Sequence, residues 1–443
     1  MATKINIMTA IVGVLNSQGI AIAADSAVTV SGNNVKKVYN RSNKIFTLSK
    51  FHPVGISIYN RVDYMGMPLE TLIKIYRNEL KDKSFGTVAE YKNDFLAFLK
   101  IQIKNVSAEQ KTHSFYQFCS EAHWPIIYSV RDALNARKAE IDIAQLPGKT
   151  EIYNAVIEDR LQTYLEEILG YPQATYLDTT FDQYLNFYAA ELDSIENLIQ
   201  EELAKLFDNL LLLDGHKTII KQIMYGLINI ELIFESHCGL IFFGFGEDEI
   251  YPSSHLVLVG MAIMDIPRAK IFDTISINPG ILGSNIIPYA QGDVTTTVLT
   301  GVDPSYKSEM KNAVKSTFSD VALQMENILG NPALSDQIHV AMTTIADEFI
   351  QRLEDYQWKK ITGPLLEILD NMGKEDMAEL AESLVNITSL KRKFTSSDSA
   401  DESVGGPVDV AIITKGDGFI WMKRKHYFDM DNNPAFKDKY FKF

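Results

Sequence analysis

"MTAIVGVLNSQGIAIAADSAVTV", Met8 to Val30, is the stretch whose reading decides the fold. Apolar residues fill Ala10–Val14 and again Ile20–Ala24, and the "NSQG" between them supplies Asn16 and Gly19, residues that tolerate positive φ. Two short β runs around such a turn predict an antiparallel hairpin. Asp25 closes the second run, where a carboxylate leaving an apolar strand needs a partner. Thr9 stands just before the first. Thr9 can be read as an ordinary β-branched strand residue and Asp25 as a strand end meeting water. The alternative makes them two parts of one site.

The rest of the chain alternates in kind. "NKIFTLSK" and "HPVGISIYN" predict a second antiparallel pair, and Met67–Leu80 places Leu69, Leu72, Ile73 and Tyr76 at helical spacing. Lys81 to Gly215 reads as helical. Its clearest helix is expected from Phe181 to Leu213, with Thr180 as N-cap and Gly215 as the stop, followed by a helix over Thr218–Phe234. "CGLIFFGFG", "HLVLVGMAIM", "KIFDTISI" and "NIIPYAQ" return to strand, and Asp293 to about Phe394 returns to helix. "TSSDSADESVGG" reads as a flexible loop, and "PVDVAIITKGDGFIWMKRK" as a closing hairpin turning at Gly416–Gly418. Strands, helices, strands, helices, strands predict an α+β fold in which two antiparallel sheets lie between helical layers.

Composition bounds the function. The 443 residues are 46% hydrophobic and 22% charged, with a net charge of -15, which argues against a nucleic-acid partner. Cys119 and Cys238 are too few for a disulfide framework. No signal peptide and no membrane-spanning run is evident, so a cytoplasmic location is expected. The histidines are scattered without metal-ligand spacing, "PGKT" at Pro147–Thr150 lacks its leading glycine, and "DMDNN" at Asp429–Asn433 lacks the rest of a calcium loop. No metal and no cofactor is expected.

Thr9 with "TAIVGV", then "GIAIAADSAVT", "NKIF" and "SVGGPVDVAIITKGDG", in that order, resembles a proteasome β-type subunit of the N-terminal-nucleophile hydrolase superfamily. The resemblance implies a four-layer αββα sandwich with core segments 1–80, 217–301 and 373–425, helical insertions at 81–216 and 302–372, and a tail at 426–443. It implies an exposed Thr9 as nucleophile, its own α-amine as general base, Lys44 as the cation that tunes that amine, and Asp25 and Asp401 as supporting carboxylates. Lys36, Lys37 and Arg41 are alternatives to Lys44 if the register slips. Asn60 falls where the family places a glycine whose N–H holds the oxyanion. Gln291 and Val404 fall where two serines flank the threonine, with Ser403 adjacent, and Gly405 and Gly406 match its paired glycines. The implied function is hydrolysis of peptide bonds in a peptide or protein substrate, by a homo-oligomer with an unfolding ATPase as a further partner. A non-peptide amidase and a non-catalytic assembly subunit are the alternatives. Three expectations go with this: the active form begins at Thr9, the insertion at 81–216 forms a lobe apart from the sheets, and Lys44→Ala stops turnover while leaving the fold intact.

Overall fold

The computed structural model describes residues 4–6, 9–32, 35–39, 42–174, 179–234, 236–329, 332–395, 405–426, 428–429 and 431–435. The chain opens with β1 (Lys4–Asn6), β2 (Ile11–Asn16), β3 (Gly19–Ala24), β4 (Val28–Gly32), β5 (Val35–Tyr39), β6 (Ile45–Thr47) and β7 (Val54–Asn60). Two short strands, β8 (Asp63–Tyr64) and β9 (Met67–Pro68), lead into α1 (Leu69–Leu80) and α2 (Val88–Gln102). Helices α3 (Ala108–Ala136), α4 (Lys138–Ile143), α5 (Leu146–Leu169), α6 (Phe181–Phe187), α7 (Ala189–Leu206) and α8 (Asp214–Asn229) follow. Next come β10 (Cys238–Gly244), β11 (Ser253–Ile263), β12 (Ile266–Ser276), β13 (Asn285–Ala290), α9 (Asp293–Thr300), α10 (Pro304–Leu329) and α11 (Pro332–Gln357). After a π-helical turn at Trp358–Thr362 the chain ends in α12 (Gly363–Asp370), α13 (Lys374–Thr395), β14 (Asp409–Thr414) and β15 (Gly418–Lys423).

The fold is α+β, and its strands pair antiparallel. One sheet has the order β13-β2-β3-β14-β15 and the other β12-β11-β10-β7-β6. Their facing sides share a core in which Ile11, Leu15, Ile20 and Ile22 meet Ile241, Phe243 and Phe245. The alternate residues Val12, Val14, Ala21 and Ala23 pack on Met377, Ala381, Leu384 and Val385 of α13. Both faces of β2 and β3 are therefore covered, which is why these strands read as unbroken apolar runs rather than as alternation. On the far side of the second sheet, Ile56, Ile58, Leu240 and Phe242 pack against Leu72 and Ile73 of α1 and Phe95 of α2. Pro288 lies in β13, an edge strand, where its missing N–H costs no ladder bond.

The hairpin turn works differently from the expectation. Neither Asn16 nor Gly19 has a positive φ. Gly19 is required by closeness instead: a Cβ there would lie 2.5 Å from the carbonyl oxygen of Ile413 on β14. Asn16 is fully buried and acts as a clamp. Its Oδ1 accepts from the Gln18 N–H at 2.9 Å, and its Nδ2 donates to the carbonyls of Leu369 and Met372 at 2.9 and 3.0 Å. That ties the turn to the α12–α13 junction. Asn16→Ala leaves those two carbonyls without their donor, so it should lower stability by about 1–3 kcal/mol in chemical denaturation. An unchanged midpoint would mean that water replaces the amide.

Between Lys81 and Gly215 the packing is divided. Helix α2, capped by Thr87 and Glu90 in a reciprocal box, lies on the second sheet. Helices α3 to α8 bury a core of their own around Phe115, Ile157, Ile195, Ile199 and Ile223, joined by Met261 and Ile263 from the end of β11. Arg268 of β12, fully buried, ties this lobe to the sheet: its guanidinium donates to the carbonyls of Leu227 at 3.1 Å and Leu232 at 2.8 Å and lies 5.1 Å from the Phe118 ring. The single helix expected over Phe181–Leu213 is corrected to α6 and α7, with 207–213 non-helical and Gly215 inside the first turn of α8. Thr180 does cap α6. The apolar count around 207–213 mimics a helix because Leu210 and Leu212 are buried lobe residues reached by an irregular segment, bridged by Gln200. Helices α10 and α11 pack chiefly on each other as a long antiparallel hairpin. Among the described residues no helix is long and apolar enough to cross a membrane.

Candidate active site

Asp25 is the hub. It follows the last residue of β3 and is fully buried. Its Oδ1 accepts from the Ala10 N–H at 3.0 Å and from Lys44 Nζ at 2.6 Å. Its Oδ2 accepts from the Gly405 N–H at 3.0 Å and the Ala27 N–H at 3.3 Å. One carboxylate thus joins the entry to β2, the chain after β3, the start of β6 and the entry to β14. The β2–β3 register makes this possible: Ile11 faces Ala24, so Asp25 lies beside Ala10, whose carbonyl accepts from the Asp25 N–H at 3.1 Å. A carboxylate so buried is stable only with such a set of donors.

Lys44 directly precedes β6 and is 1% exposed. Its carbonyl accepts from the Ile58 N–H at 2.9 Å and from Ser57 Oγ at 2.7 Å, which fixes the residue on β7. Burial pushes its ammonium below the ordinary lysine value, and the Asp25 carboxylate works against that. Lys44 meets Asp25; the side chains of Lys36 and Lys37 and the whole of Arg41 lie outside the described residues.

Thr9 precedes Ala10, so Asp25 holds the backbone immediately after it. Thr9 is 1% exposed, and its Oγ1 is buried without a hydrogen-bond partner among the described residues. With Met8 attached, its nitrogen is a peptide nitrogen rather than an amine. Upstream, β1 is held in a separate three-stranded sheet of order β1-β4-β5.

The supporting positions divide. Asn60 ends β7 at φ 68°, a left-handed conformation that asparagine tolerates better than other residues with a Cβ. Beside it, a cavity of about 30 Å³ lined in part by Arg61, Asp63, Met65 and Cys238 has room for no more than a water or two. Gln291 follows β13, whose Ala290 faces Ile11, but its Oε1 accepts from Arg392 Nε at 3.1 Å, and Arg392 is paired with Asp293 at 2.7 Å. The Gln291 side chain is thus held by α13. Gly405 supplies its N–H to Asp25 and its carbonyl to the Ser26 N–H at 3.1 Å, and Gly406 has φ 77°. Asp401, Ser403 and Val404 lie outside the described residues.

Two groups escaped the sequence reading. The Ser26 hydroxyl donates to the Pro407 carbonyl, stitching the chain after β3 to the entry of β14. Asp409, 2% exposed, forms a buried ion pair with Lys425 and accepts from the Lys425 N–H at 2.9 Å. It faces Ala24 across the sheet, and both charges of the pair act on Lys44, Lys425 lowering its pKa and Asp409 raising it. A signal for it existed: Asp409 opens an apolar strand just as Asp25 closes one. The arrangement can keep a charged ammonium fixed in a dry setting beside the Thr9–Ala10 backbone, which is what tuning an adjacent amine requires. Among the described residues no cluster of histidine, cysteine and carboxylate side chains could hold a metal. Neither a protein-family model nor a curated protein matches this chain.

Proposed function

We propose that the chain is a threonine hydrolase of the N-terminal-nucleophile kind, built on a four-layer αββα sandwich and resembling a proteasome β-type subunit, that cleaves peptide bonds once Thr9 is the first residue. The observation that carries this reading is the Asp25 carboxylate, which bridges the Lys44 ammonium and the backbone next to Thr9 at 2.6 and 3.0 Å. The Thr9 Oγ1 fits it: a buried hydroxyl without a partner among the described residues costs stability, as a group kept for chemistry would. In the reaction, the Thr9 hydroxyl attacks the substrate carbonyl and its proton passes to the α-amine. That amine has an unperturbed pKa of about 7.7–8.0, and the Lys44 ammonium lowers it by like-charge repulsion. The Asn60 N–H meets the oxyanion. The amine then returns the proton to the leaving nitrogen, and water opens the ester. A homo-oligomer and an unfolding ATPase belong to the same proposal.

The second reading, a non-catalytic assembly subunit, is favoured by the burial of Thr9 and by Gln291 being held on Arg392. Intact-mass measurement of the purified protein separates the two. The first predicts a chain that begins at Thr9 and labels with a probe reactive toward N-terminal threonine. An intact Met1 in a protein that turns over peptides would sink it.

A further inference from the structure

Helices α10 and α11 form an arm, and we propose that its apolar face binds the same face of a second copy of this chain. Each helix has 26 residues, so at about 1.5 Å per residue the arm is roughly 39 Å long. Charged groups fix the register of the pair: Lys311 meets Glu354 at 2.7 Å, Lys315 meets Asp347 at 3.0 Å and His339 meets Glu326 at 3.4 Å. Lys307 reaches Gln357 at 2.8 Å. Ala322, Ala346 and Ile350 are buried along the same seam.

The residue before each seam position is apolar. On α10, Tyr306, Met310, Val321 and Met325 precede Lys307, Lys311, Ala322 and Glu326. On α11, Ile345, Phe349, Leu353 and Tyr356 precede Ala346, Ile350, Glu354 and Gln357. A helix turns about 100° per residue, and in an antiparallel pair the positions one residue back from the seam turn to the same side of both helices. The two rows therefore make one face. They are not covered by the rest of the chain: Phe349 is 46% exposed and Tyr356 63%. The residues one step after the seam turn to the opposite face. There stand Ser308, Asn312, Asn327, Asp347, Gln351 and Asp355, with Leu323 and Trp358 as the exceptions. The arm is thus amphipathic as a pair of helices, with one side wet and one side apolar.

Size and shape point to a second copy. Two adjacent helices are about 20 Å wide, so the face measures roughly 700–800 Å², close to the ~800 Å² that each partner gives to a stable interface. An apolar surface of that extent marks an interaction site. It carries two apolar rows at a fixed spacing, and the occupant that matches both is another antiparallel pair with the same spacing. Two arms laid face to face make a four-helix bundle that a two-fold axis closes. A lipid surface fits poorly, because the wet side bears Asp347 and Asp355 and not the rows of lysine and arginine that hold an amphipathic helix to anionic headgroups. The arm uses no residue of the Thr9 site, so the proposal stands whether or not the chain is a hydrolase.

Sedimentation equilibrium of the full chain over a range of concentrations tests it. The chain should associate with a dissociation constant below about 10 µM. Ile345→Asp and Phe349→Asp each place two carboxylates in a two-fold interface, so each should weaken association about a hundredfold or more. Asn312→Asp, on the wet side, should leave it unchanged. Circular dichroism checks that the helices persist. If aspartate melts the arm, Ile345→Ala/Phe349→Ala keeps helix-forming residues and should still weaken association about tenfold or more. The proposal is overturned if the chain is a monomer throughout, if the arm variants keep the wild-type mass, or if the wild-type chain stays monomeric and floats with vesicles of anionic phospholipid.

Discussion

Lys44→Ala is expected to lower the unfolding free energy by about 3–5 kcal/mol and to abolish turnover. The expectation of an intact fold, drawn from a lysine facing an open pocket, gives way to the observed burial. Lys44 is 1% exposed and Asp25 fully buried, so truncation strands a carboxylate in a dry interior. Three backbone N–H groups remain on that carboxylate, which keeps the loss from exceeding the range for a broken buried pair. Loss of a tuned general base costs about 10²–10⁴-fold in rate. Lys44→Arg should fail too, because a longer planar guanidinium cannot occupy the 2.6 Å contact without displacing β6. The two effects separate in the double variant Asp25→Asn/Lys44→Met. It removes both charges, but the new amide NH2 faces a backbone N–H where an oxygen had accepted, so it should regain only part of the stability while staying inactive. Denaturation midpoints and threonine-probe labelling measured on all three variants are the test. Wild-type stability and labelling in Lys44→Ala would transfer the role to another lysine or end the hydrolase reading.

Thr9→Val should remove all labelling and turnover and at the same time raise the melting temperature. Valine keeps the branched shape and replaces a hydroxyl that has no partner among the described residues. Such a group costs about 1–3 kcal/mol when buried, and its loss is a gain for the fold. Opposite signs for stability and activity mark a residue kept for chemistry. Thr9→Ser, which keeps the hydroxyl, should retain part of the activity. A Thr9→Val protein that melts lower and still hydrolyses peptides would make Thr9 a packing residue.

What was legible in the sequence was local. The hairpins β2–β3 and β14–β15, the pair β6–β7 and helix α1 each follow from a short apolar period and a turn. Asp25 was legible as a candidate because it ends an apolar run with a charge; Lys44, preceded by the polar residues Asn40 to Asn43, was named only through the resemblance. The rest depends on pairings between distant segments. No local pattern tells that Asp409 faces Ala24, that Arg392 of α13 occupies Gln291, or that Lys44 is sealed from water. The sheet β1-β4-β5 escaped because its strands are short and rich in polar residues. The break at 207–213 escaped because buried leucines in an irregular segment keep a helix-like spacing.

The Gly405 N–H reaches Asp25 across 380 residues of chain. On a ribosome adding about 5–20 residues per second, roughly 20–80 s separate the emergence of the first hairpin from that of the segment that completes its carboxylate. In that interval the α3–α8 lobe, whose contacts are nearly all internal, has all its parts, while β3 lacks its neighbour β14 and Asp25 lacks one of its donors. A nascent or prematurely terminated chain therefore carries Thr9, Asp25 and Lys44 with the Asp25 carboxylate one donor short. Order of synthesis thus decides when the buried carboxylate is fully satisfied: only once residue 405 has been made.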